Sequence, residues 1–128
     1  MAKQYVILIM EPGWSGVDAD PDYDWDAAWS QHNAFRDAVV AAGGKVVDGD
    51  ALQPSKWAFR IDPRPEGEAP LITDGPFTES KEVIAGYYKI ELPDDADVRA
   101  VAATCPTGSC PTDGWLEVYP VAELPDPS

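Results

Sequence analysis

One histidine and one short turn carry most of the chemistry open to this chain. His32 is the only histidine among 128 residues, and imidazole is the side chain whose ordinary titration range lies closest to neutral pH. Asp74 opens the turn Asp74-Gly75-Pro76-Phe77. A carboxylate beside an imidazole fixes its tautomer and raises its basicity, so His32 and Asp74 would form an acid–base pair. Each residue also has an ordinary use, the histidine as a hydrogen-bonded member of a packed face and the aspartate as a cap on turn amides. Glu79, Lys81 and Glu82 follow the turn at once, although a hairpin needs only a couple of turn residues. They read either as a solvated charged segment or as a pocket rim. In the second reading Phe77 packs inward as an anchor, Lys81 holds an anionic group and a glutamate orients it.

Other chemistries fit less well. Cys105 and Cys110, in CPTGSCP, are two thiols where a closed structural zinc site needs four ligands. Cys105 also follows a helical stretch whose C-terminal end raises a thiol pKa, which argues against a nucleophile. A disulfide between the two cysteines is sterically possible, but nothing suggests an oxidising compartment, so two free thiols are expected. Asp18, Asp20, Asp22, Asp24 and Asp26 recur at every second position and invite a calcium reading. Counted from Asp18, however, the sixth and twelfth positions of an EF-hand loop hold Tyr23 and Trp29 instead of glycine and glutamate. The run reads as an acidic loop whose last aspartates cap a helix. With no glycine-rich phosphate loop, Gly-x-Ser-x-Gly elbow or His-Glu-x-x-His helix in the sequence, neither a metal nor a cofactor is expected.

The elements that must position these residues follow from hydrophobic periodicity. QYVILIM (4–10) is aliphatic on both faces, the mark of a central strand. A helix is predicted over 25–42, with Trp25, Trp29, His32, Phe35, Val39 and Ala42 on one stripe, ending at Gly43-Gly44. That stripe aims His32 at the sheet. KVVDGDAL (45–52) reads as a second strand, WAFRI (57–61) and APLIT (69–73) as an inserted hairpin, and AGYYKIEL (85–92) as a strand with Tyr88, Ile90 and Leu92 on one face. Residues 94–104 have helical character with Val98, Val101 and Ala102 inward, and WLEVYPV (115–121) is the last strand. This order is the split βαβ, or ferredoxin-like, α+β pattern with one inserted β-hairpin. Two helices cover one face of its sheet only. Apolar residues on both faces of the first strand, with Trp115 and Tyr119 on the last, call for a second copy of the sheet, and therefore a homodimer.

Bulk composition narrows the partners. The length suits one domain over 1–128, with a core at about 4–122 and a loose tail at 123–128. A net charge of −14 repels phosphate backbones and anionic lipid, so neither nucleic acid nor membrane is expected as a partner. The aliphatic run Val6 to Met10 is too short for a signal-peptide core or a membrane span, which predicts a soluble, cytoplasmic chain.

The composite LITDGPFTESKEVIAGYYKIEL (71–92), preceded by GDALQP and followed by CP and LEVYPV, resembles the YCII-related family. Within it, the match is to the branch named after its Asp-Gly-Pro-Phe (DGPF) motif. The resemblance runs from about Tyr5 to Val121 and implies a ferredoxin-like fold paired into a dimeric α+β barrel. It also implies a histidine and an aspartate as the catalytic pair, best matched by His32 and Asp74, acting on a small organic ligand by isomerase, lyase or lactone-type chemistry. Some members of that branch resemble accessory proteins of extracytoplasmic-function sigma factors. The alternative is thus a non-catalytic ligand-binding or regulatory module.

Overall fold

The computed structural model describes residues 2–17, 20–75, 84–107 and 114–126. Strand β1 (Ala2–Met10) is followed by helix α1 (Trp25–Ala41), β2 (Lys45–Ala51), the short hairpin β3 (Phe59–Asp62) and β4 (Leu71–Asp74), β5 (Ile84–Pro93), α2 (Val98–Ala102) and β6 (Trp115–Pro120). The main sheet has the order β2-β5-β1-β6 with every neighbouring pair antiparallel. β1 and β5 are therefore adjacent at its centre, as two interleaved βαβ units require. The protein is an α+β structure.

Alternation along the central strands sorts the core from the opposite face. Ile7 and Ile9 of β1 and Tyr88, Ile90 and Leu92 of β5 point to the helical side, where Phe35 and Val39 of α1 and Val101 and Ala102 of α2 complete the buried cluster. Val6 and Leu8 point the other way, beside Lys89 and Tyr87 on one neighbour and Tyr119 and Glu117 on the other. Among the described residues no helix covers that second face. It is amphipathic, with Tyr87 donating to Asp48 at 3.1 Å, and Trp115 and Tyr119 donating to the Glu117 carboxylate at 2.8 and 2.9 Å.

Both helices start at aspartate caps. Asp24 accepts from Ala27 N at 3.0 Å, with Asp26 in the first turn, and Asp97 accepts from Ala100 N at 3.1 Å. Part of the acidic run is thus a cap. α2 is shorter than the helical character of 94–104 predicts, because Pro93 to Ala96 close a turn before the cap.

The hairpin forms a two-stranded sheet of its own, with Phe59 opposite Asp74 and Ile61 opposite Ile72. Its residues are largely exposed and add little to the core. Gly75 tethers it: the Gly75 N–H donates to Ala58 O at 2.8 Å, and a Cβ here would lie 2.0 Å from the Ser55 carbonyl oxygen. Glycine is needed at this point for close backbone approach rather than for a left-handed φ. Among the described residues no helix is long and apolar enough to cross a membrane.

Candidate functional site: an aromatic cavity beneath the first helix

Small residues open a space between α1 and one end of the sheet. Ala28 on the helix and Gly49, Ala85 and Gly86 on the strands below it cannot fill the gap. The resulting cavity holds about 720 Å³, within the range of small-molecule sites. The loop after β1 closes one side, pinned by the Trp14 indole N–H donating to Leu52 O at 2.8 Å.

The stripe on α1 divides in two here. Phe35 and Val39 are fully buried, whereas Trp25 and Trp29 are 42 % and 58 % exposed. A helical period of 3.6 places these side chains on one face, but the sheet below supports only the C-terminal half of it. The two tryptophans line the cavity instead of the core. Their rings continue a wall: Tyr23 meets Trp25 edge-on at 4.9 Å, Trp25 and Trp29 are 6.3 Å apart, and Trp29 lies 6.3 Å from the His32 ring.

His32 forms the polar end of the wall. Its Nδ1 is hydrogen-bonded to the Tyr88 hydroxyl at 2.6 Å, and both residues line the cavity. Burial, and then the charge of Arg36, hold the imidazole below its ordinary 6.5, so it is neutral at pH 7. Burial raises the Tyr88 phenol against the opposing pull of Arg36, whose guanidinium sits 5.6 Å over the ring. A neutral imidazole bonded to a protonated phenol can take up or release one proton without creating a second buried charge.

Acidic groups collect at the other end of the wall. Glu11 is buried in the cavity lining and Asp20 lies beside it in the acidic loop. Burial, then Glu11 and Asp24, raise the Tyr23 phenol. Cys105 carries a free, buried thiol, pushed up to about 12 by desolvation. A thiol so rarely ionised is no nucleophile near neutral pH.

Of the residues singled out in the sequence, His32 lies in this cavity. Asp74 is exposed at the end of β4, opposite Phe59, and is not among the described residues that line it. Phe77, Glu79, Lys81 and Glu82 lie outside the described residues, as do Cys110 and Asp18. Tyr88, Arg36, Glu11, Trp14 and Tyr23 were not expected as site residues. For Tyr88 the signal was present, since strand alternation put it on the helix-facing side with Ile90 and Leu92.

Fold and cavity define an α+β protein with a small-molecule-sized chamber between its first helix and its sheet. Residues 21–125 match the YCII-related domain, and the chain belongs to that family. The matched stretch runs from the acidic loop to just beyond β6. No curated protein matches the chain.

Proposed function

We propose that this protein, as a member of the DGPF branch, binds a small organic molecule in the chamber under α1 and moves a proton on it, with His32 as the base or acid. Isomerisation, elimination and lactone opening all need such a step. The observation that carries the reading is the 2.6 Å hydrogen bond between His32 and Tyr88 at the wall of the cavity. It favours Tyr88 as the immediate partner of the histidine. Asp74, on the separate hairpin, stays in the proposal as the second candidate for that role.

Ligands found by a thermal-shift screen provide the test, followed by NMR detection of C–H exchange in D₂O. The wild type is expected to exchange hydrogen, and the rate to rise with pH through a midpoint below 6.5, because His32 must lose its proton to act as a base. His32→Gln should still bind and lose exchange by about 10²-fold or more, the usual contribution of a positioned base. Tyr88→Phe should move the midpoint and Asp74→Asn leave it in place. The opposite result would return the pairing to His32 and Asp74. Binding without exchange in the wild type would reject catalysis and leave a non-catalytic module.

The helix-free sheet face is the proposed dimer interface, cytoplasmic localisation is proposed with it, and the paired sheets make the α+β barrel. Val6, Leu8, Trp115 and Tyr119 supply its apolar area. Sedimentation at micromolar concentration is expected to give about 28 kDa, twice the 13.9 kDa chain. Leu8→Lys should return it to the mass of a monomer. A wild-type monomer would remove the barrel.

A further inference from the structure

The charges along the aromatic wall are not evenly spread. Arg36 and the His32–Tyr88 pair occupy one end, whereas Glu11 and Asp24 act on the Tyr23 end. Asp50, also in the described lining, gives its carboxylate to the Tyr87 hydroxyl on the other side of the sheet. An aromatic ring face is the negative part of its quadrupole, and it attracts a cation most when water is excluded. Trp25 and Trp29, their ring planes 34° apart, and Tyr23, edge-on to Trp25, all line the chamber. The overall charge of −14 attracts cations to the chamber mouth from a distance and opposes anions.

We propose that the chamber selects a small organic cation. An alkylammonium group seats against Tyr23, Trp25 and Trp29 on the acidic side, and the ligand's carbonyl or other acceptor end reaches His32 and Arg36. This rests on the reading of the chamber as the ligand site and adds its substrate class. Seated this way, the ammonium is at the opposite end of the wall from the Arg36 guanidinium, and the acceptor end meets Arg36, which can donate to it, and His32, which can move its protons. Lys81 was expected to hold an anionic group at a pocket rim. The carboxylates of Glu11, in the described lining, and of Asp24 act on the tyrosine and point to the opposite charge at that end.

Two probes of one shape separate charge from fit: acetylcholine and its uncharged isostere 3,3-dimethylbutyl acetate, with benzoate as an anion of similar size. Binding is read by calorimetry and tryptophan fluorescence on the full chain. Acetylcholine is expected to bind about tenfold or more tightly than the isostere, the scale of a desolvated cation–π contact. Trp29→Leu, at an exposed position, should erase that preference, because acetylcholine loses both the packing and the cation–π part of the contact while the isostere loses only the packing. Added salt should weaken acetylcholine alone. Equal affinity for the two esters, or tighter binding of benzoate, would overturn the cation preference while leaving the chamber a ligand site. No saturable binding of acetylcholine up to the tens-of-millimolar range would also overturn it. The exchange test on His32 uses ligands from the unbiased screen, so it succeeds or fails independently of this result.

Discussion

Phe35→Ala will lower the free energy of unfolding by about 3–5 kcal/mol, the usual cost of removing a buried aromatic ring. Phe35 is fully buried and its ring centroid is 4.8 Å from that of Tyr88. It belongs to the buried cluster with Ile7, Val39, Ile90 and Leu92, where close packing leaves a deleted ring's volume as a void. Trp29→Leu is the control. Less than two turns before Phe35 on the same helix but 58 % exposed, it should cost less than about 1 kcal/mol, as surface-like positions do. Urea unfolding with both variants at one protein concentration checks the contrast, because association would make stability depend on concentration. A loss below about 1.5 kcal/mol at Phe35, well under the range for buried aromatics, would mean that the ring is not in the core.

Gly49→Ala will damage the site and the fold together. A Cβ at this position would lie 2.6 Å from Tyr88 Cδ1 and 2.9 Å from Cε1, with the Tyr87 carbonyl oxygen at 3.1 Å. The obstruction is a ring that cannot give way freely, since Phe35 packs on it and His32 holds its hydroxyl. The ring must turn out of place, at a cost of about 1–3 kcal/mol for overpacking. Its hydroxyl then leaves Nδ1 of His32. NMR titration of the imidazole should show the same displaced midpoint in Gly49→Ala, Tyr88→Phe and the double variant, because the second change removes a bond already lost. Additive displacements would show that Gly49 acts on His32 by another route.

The sequence disclosed the scaffold better than the chamber. β1 and β5 were legible because strands at the middle of a sheet have an apolar signature of their own, and α1 because Asp24 marks its start and Gly43-Gly44 its end. The direction of Trp25 and Trp29 was not. Periodicity says which side chains share a face but nothing about what lies opposite, and here Gly49, Ala85 and Gly86 leave the face unsupported. Tyr88 escaped notice as the partner of His32 for a related reason: the two are 56 residues apart, and only the crossing of α1 over β5 joins them. A glycine in a turn ordinarily supplies an unusual backbone angle, but Gly75 has no positive φ. Its actual service, to let the strand pass against Ser55, depends on two segments whose meeting no local pattern records.

The double membership of Tyr88, in the core through Phe35 and in the chamber through His32, limits how this protein can be remodelled. Engineering that starts at the His32–Tyr88 end would spend stability with each substitution. Trp25 and Trp29 stand outside the core, so a combinatorial library at those two positions can exchange one ligand preference for another while the folding yield stays level. New specificities should accordingly emerge from the first two turns of α1, with the His32–Tyr88 hydrogen bond inherited unchanged.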